Sequence, residues 1–275
     1  MHLIFRNFVN MTLKEKYGNL ALVAGASEGI GAAMANYLAS QGMDVVLVAR
    51  RKEPLEQFAN SLSDKYKIKT YCIVCDLTDP NATQNIKKEL QGKEINVLVY
   101  NAAISYIGAF ENNSIQEQQN IAYANMITPM NMLKVFGEPM LNKKKGAMII
   151  MASLAGFQGS GFLAAYAGTK AFNRVLAESL WYEWKNRGVD VIACCAGATS
   201  TPNFIKTKPE KSNPFAPKVQ SPEEVVNECF KKLGKQPSFI TGTGNKIASF
   251  IMQRLLPRKT AVTIMGDTTR KMYRL

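Results

Sequence analysis

The stretch YAGTK places a phenol, Tyr166, and an ammonium, Lys170, four positions apart in an Ala-rich run that reads as helix. That spacing is about one helical turn, so the two side chains share a face. A free phenol titrates near ~10 and is a sluggish proton donor at neutral pH. A neighbouring ammonium stabilises the phenolate and brings that value down. Such a pair can protonate the alkoxide that forms when a hydride reaches a ketone, and can take the proton back in the reverse direction. Ser153, which closes the apolar run GAMIIMAS, can hydrogen-bond the same substrate oxygen.

The hydride carrier is suggested near the N-terminus. The run LALVAG leads straight into AGASEGIGAAMANYLA, where Gly25, Gly29 and Gly31 allow a tight turn and close backbone approach. The helix that follows aims its first amides at a phosphate. A glycine pattern counts for little alone, but this one lies between a strand signature and a helix signature, as a dinucleotide site requires. After the second strand an Asp or Glu would hold the ribose hydroxyls of NAD, whereas Arg accommodates a 2′-phosphate. The sequence there is LVARR, with Ala49 in the acid's place, then Arg50 and Arg51, and Glu53 as the only acid nearby. NADP(H) is the expected cofactor, with Ser27 adding a hydroxyl; two solvated arginines are the plainer alternative.

Short apolar runs at 20–25, 44–50, 69–76, 95–101, 146–153 and 189–197 have buried-strand composition. Helically patterned stretches alternate with them, including Gly29 to Gln41, Pro54 to Tyr66 and Gln116 to Leu141. The expected fold is therefore α/β: a doubly wound parallel (Rossmann) sheet in a three-layer αβα arrangement. We expect an arm over 1–12 and one domain over 13–275. Within it, a Pro- and Lys-rich substrate lid spans about 198–222 and a basic segment 246–275. Ser221, Pro222 and Gly234 mark the start and stop of a helix beyond the lid.

Composition removes other chemistries. His2 is the only histidine, so a Ser-His-Asp triad has no candidate base. The five cysteines form no secreted framework, and Cys72 and Cys75, three apart in a strand, point to opposite faces. No metal site is expected. No apolar run is long enough to span a bilayer, and a cytoplasmic location is expected. The net charge of +13 favours anionic partners. No aromatic platform accompanies the basic residues, so nucleic acid is not expected. The basic C-terminus, with Ile247, Phe250, Ile251 and Leu255 at helical spacing beside Arg254 and Arg258, could contact a membrane surface or pack on its own or a neighbouring subunit.

Taken in order, AGASEGIG, CDLTD, YNAA, MASLAG and YAGTK resemble the motifs of the short-chain dehydrogenase/reductase family, over essentially the whole chain. The resemblance implies a catalytic tetrad of Asn125, Ser153, Tyr166 and Lys170. Asn125 would position a proton-relaying water, and Lys170 would also hold the nicotinamide ribose. It further implies cofactor contacts from Ile30, Asp76, Leu77, Asn101 and Ala102, with Tyr166, Lys170, Thr199 and Thr201 on the nicotinamide side. The chain departs from the family at Ala24, at Tyr100 and Ala103, and at Ala196-Gly197. These changes bear on loop geometry beneath the cofactor. A homodimer or homotetramer through helices near Asn125 and Tyr166 is implied as well.

Ile104, Ser105, the GFQGSGFL stretch (156–163) and lid residues Pro202, Phe204, Ile205, Pro214 and Phe215 would bound a mostly apolar pocket for a bulky ketone or alcohol. LKEKYGNLALVAGASEGIG, GMDVVLVARRKEPL, GVDVIACCAGATSTP and SPEEVVNECFKKLGKQ are similar to the NADP-dependent 7β-hydroxysteroid dehydrogenases of gut bacteria. That resemblance implies a bile-acid substrate, whose carboxylate Lys206, Lys208, Lys211 and Lys218 could assist. The rival readings are a reductase of 3-oxoacyl thioesters or other lipid ketones, and a non-catalytic NADP- or nucleic-acid-binding module.

Overall fold

The computed structural model describes residues 11–210 and 218–275. Residues 1–10, with His2, and Lys211, Pro214 and Phe215 of the expected lid lie outside the described residues. Seven strands form one parallel sheet: β1 (Leu20–Ala24), β2 (Asp44–Ala49), β3 (Thr70–Val74), β4 (Val97–Tyr100), β5 (Gly146–Ser153), β6 (Val189–Ala196) and β7 (Ser238–Ile240). Their order is β3-β2-β1-β4-β5-β6-β7. Central β1 and β4 are buried along their whole length, which is why they read as unbroken apolar runs instead of alternating ones. Successive residues serve opposite faces: Ala21 and Val23 pack in one layer, Leu20, Leu22 and Ala24 in the other.

The helices are α1 (Leu13–Tyr17), α2 (Gly29–Ser40), α3 (Lys52–Tyr66), α4 (Ala82–Glu89), α5 (Ile115–Ala122), α6 (Thr128–Lys143), α7 (Ala164–Trp184), α8 (Pro202–Lys206), α9 (Pro222–Lys232), α10 (Thr243–Phe250) and α11 (Arg258–Tyr273). Met34 and Leu38 of α2, Leu55 of α3 and Val225 of α9 cover one face of the sheet. Ile86 of α4, Met132 and Phe136 of α6 and Ala177 of α7 cover the other. The result is the expected three-layer Rossmann-like fold. Ser221 caps α9 reciprocally with Glu224, as the SPEE sequence specifies.

Three details differ from expectation. The edge strand β3 is not a buried one: Ile73 is its only buried residue, and Cys72 and Val74 face outward. Strand β7 carries no sequence signal, being a three-residue edge strand between a proline and a glycine-rich turn. The expected helix over Gln116–Leu141 is α5 and α6 joined through a π-helical turn, Tyr123–Ile127. A second π turn, Ile251–Leu255, follows α10.

The sheet order reverses direction between β1 and β4, and doubly wound folds bind ligands at the carboxyl ends of the strands flanking such a reversal. The loops after β1 and β4 meet there. Asn101 Nδ2 donates to Gly25 O at 3.0 Å. The candidate site is built on this junction.

Candidate active site

Only glycine can make the turn after β1. A Cβ on Gly31 would lie 1.9 Å from Gly25 O, and Gly25, at φ +79°, passes so close to the next loop that its own Cβ would lie 2.8 Å from Ala102 N. The backbone therefore lies bare at the N-terminus of α2, in the form that receives a phosphate. Thr201 packs over Gly29, bringing the base of the lid onto the turn. At the end of β2, Arg50 and Arg51 are both exposed. Arg51 Nη2 is held 3.0 Å from Glu28 Oε2, an acid inside the glycine turn. Asp76 Oδ1 accepts from the Thr78 amide and hydroxyl, each at 3.0 Å. The Leu77 side chain belongs to the core, and its carbonyl accepts from Thr128 Oγ1 at 2.9 Å.

Ser153 ends β5, and Tyr166 and Lys170 lie on the first turns of α7. The Tyr166 phenol lies beside the Ser153 hydroxyl. Lys170 is 2% exposed, and its Nζ donates to Met151 O at 2.8 Å, 5.6 Å from the centroid of the Tyr166 ring. Burial raises the Tyr166 pKa; the Ser153 hydroxyl pulls it back down, and the nearby Tyr273 adds a further upward push. The sequence reading has Lys170 lowering the Tyr166 pKa. Here burial dominates instead, and the phenol is held in its protonated form. Burial also lowers Lys170, to about 8.

Asn125 lies in the π turn between α5 and α6, fully buried. Its Oδ1 accepts from Ile104 N at 2.8 Å, and its Nδ2 donates to Ile104 O at 2.8 Å and to Thr169 Oγ1 at 3.0 Å. The side chain is thus spent on pinning the loop after β4 to α7. Tyr100, where the family carries Asn, reinforces this link by donating its hydroxyl to Ala124 O at 2.6 Å. Extra-residue π turns recur at functional sites.

Ser153, Tyr166 and Lys170 open onto a cavity of about 460 Å³ that also reaches Ile30, Asn101, Thr199 and Thr201. Thr201 caps α8 through Phe204 N at 3.2 Å, and Thr199 bridges to Gln220, closing the base of the lid. Of the expected pocket residues, Ser105, Gln158, Leu163 and Phe204 line the cavity. Ile104 does not, and Ile205 is 61% exposed. Pro202 also lies off the lining, on the exposed start of α8. Lys206 and Lys208 point to solvent, and Lys218 faces Glu224 at 3.8 Å.

One wall was not legible in the sequence. Ala248, Ser249 and Met252 from α10 and its π turn, and Met265, Met272 and Tyr273 from α11, close the cavity on the far side. Tyr273 lies beside Thr207 of the lid, and Arg274 pairs with Glu210. Asn245 packs so tightly on Gly197 that a Cβ there would lie 2.3 Å from Asn245 Nδ2, so the glycine after β6 is required by this contact. Among the described residues no cluster of His, Cys, Asp or Glu could hold a metal ion.

The profile of the short chain dehydrogenase family matches residues 19–212. The chain belongs to that family and is an oxidoreductase acting on CH–OH groups with a nicotinamide cofactor. It is 32% identical over 236 residues to a 7β-hydroxysteroid dehydrogenase of Clostridium sardiniense, covering 86% of this chain and 90% of that one. A solved 7β-hydroxysteroid dehydrogenase structure superposes with a TM-score of 0.87 at 28% identity, covering 93% of this chain and 99% of that chain. Very-long-chain 3-oxoacyl-CoA reductase-B of Danio rerio is 28% identical over 278 residues, covering 96% of this chain and 85% of that protein.

Proposed function

We propose that the chain is an NADP(H)-dependent oxidoreductase that interconverts a secondary alcohol and a ketone on a bulky apolar substrate of the hydroxysteroid or bile-acid class. The observation that carries this reading is the convergence of Ser153, Tyr166 and Lys170 on a largely apolar cavity against the glycine turn. The cradle after β1 fits a pyrophosphate, and Arg50, Arg51 and Ser27 fit a 2′-phosphate. NADPH bound there would supply the hydride.

In this reading Tyr166 donates its proton to the oxygen that gains charge, and burial keeps that proton in place at neutral pH. Ser153 orients the same oxygen. Lys170, still protonated below about pH 8, stabilises the phenolate that this transfer leaves and would hold the cofactor's ribose hydroxyls. Asn125 acts by fixing the π turn. With its side-chain amide fully engaged, a relay water would be held by backbone carbonyls of that turn. A homodimer across α5 and α7 is supported by the exposed Ile115, Val175 and Tyr182 on those helices.

The relation to 3-oxoacyl-CoA reductases supports a lipid ketone as the second reading. The two separate in one assay: NADPH oxidation with 3-, 7-, 12- and 17-oxosteroids and with a 3-oxoacyl thioester. Turnover on one steroid position supports the steroid reading and supplies the position; turnover on the thioester alone refutes it.

A further inference from the structure

We propose that the outer face of α10 and its π turn docks on an anionic lipid surface, so that the wall of the substrate cavity lies against a bilayer. Ile247, Phe250, Ile251 and Leu255 are 57%, 59%, 40% and 64% exposed and recur at helical spacing on one face. Residues on the other face, Ala248, Ser249 and Met252, line the cavity. The helix is therefore fixed, and its apolar outer side has no route into the core. Exposed apolar side chains scattered singly need no explanation, whereas four on one face form an interaction surface.

Charge selects the occupant. Arg254, Arg258 and Lys259 are exposed around the apolar face, and beyond Glu228 the only acid in the sequence is Asp267. Arg258 is tied to Phe157 O at 3.1 Å and Lys246 is paired with Glu228 at 3.0 Å. Arg254 and Lys259 form no ion pair among the described residues, leaving their charge for an outside partner. An apolar strip rimmed by Arg and Lys is the pattern of a helix lying in the plane of an anionic membrane interface. A second copy fits poorly. A two-fold contact would set this face against itself and bring the basic rims together.

The arrangement leaves one helix thickness between the acyl boundary and the cavity, suiting a substrate drawn from the lipid phase. It stands apart from the reaction proposed above, which would proceed equally on dissolved substrate.

The test is co-sedimentation of the full chain with phosphatidylcholine vesicles, with and without phosphatidylglycerol, at low and high salt. We expect binding to the anionic vesicles at low salt, release at high salt, and little binding to phosphatidylcholine alone. The double variant Phe250→Ser/Leu255→Ser should lose roughly tenfold or more in partitioning while keeping its melting temperature and its turnover of soluble substrate. Arg254→Glu/Lys259→Glu should lose the anionic preference. Wild-type protein that stays with the supernatant at low salt overturns the proposal, as does undiminished binding of either variant. A drop in oligomer size in the apolar variant, with no vesicle binding by the wild type, would assign the face to a second copy.

Discussion

Lys170 is the most expensive residue of the site. Its folded pKa of about 8 lies below the usual 10.5, so holding the charge inside costs on the order of 3 kcal/mol at neutral pH. The folded state binds fewer protons than the unfolded chain between those values. The penalty is therefore complete below about pH 8 and fades as the pH rises toward 10.5. Lys170→Met should raise the unfolding midpoint at pH 7 while abolishing turnover, and the gain over wild type should shrink by pH 10. A variant less stable than wild type at pH 7 would contradict this. The Glu28–Arg51 pair bears on cofactor choice at the same scale, because Glu28 competes with a 2′-phosphate for Arg51. Arg50→Ala should raise the Michaelis constant for NADPH more than that for NADH. Glu28→Gln should lower it for NADPH selectively, and equal changes for both cofactors in either variant would refute the phosphate assignment.

Among the elements, the π turn between α5 and α6 organises the site. It turns Asn125 inward, onto Ile104 and Thr169, and places Ala124 O over Tyr100. Asn125→Ala strands both Ile104 backbone groups at once. It should destabilise the fold by roughly 2–4 kcal/mol, since buried polar groups without partners cost about 1–3 kcal/mol each. Its effect should fall on kcat more than on KM; urea unfolding and steady-state kinetics check the two parts. The six longer strands were legible because burial on both faces, or on one, writes itself as an apolar run. A π turn does not, since one extra residue leaves the hydrophobic period of 116–141 nearly unchanged. Strand β7 is too short to carry any period, and its pairing comes from β6 beside it.

For the molecule as a whole, the motifs that read from sequence are the local ones, where turn, strand end and catalytic helix each declare themselves within a few residues. Tyr166 and Lys170 are four apart, and Gly25 and Gly31 are six apart. The substrate wall depends instead on a distant segment folding back. Met265, Met272 and Tyr273 lie about a hundred positions beyond Tyr166, and only the packing of α11 over the cavity brings them near. The apolar side chains of 247–255 show how periodicity alone misleads: their spacing marks a face, yet the cavity takes the opposite one. No described helix is long and apolar enough to cross a membrane. The central claim is that the phenol of Tyr166 delivers the proton in a ketone reduction at this cavity. The most direct measurement is single-turnover NADPH oxidation by Tyr166→Phe on whichever ketone the wild type reduces, paired with fluorescence titration of NADPH. The account predicts a rate loss of about 10²–10⁴-fold with NADPH affinity close to that of the wild type. A variant that reduces the ketone at the wild-type rate would contradict it.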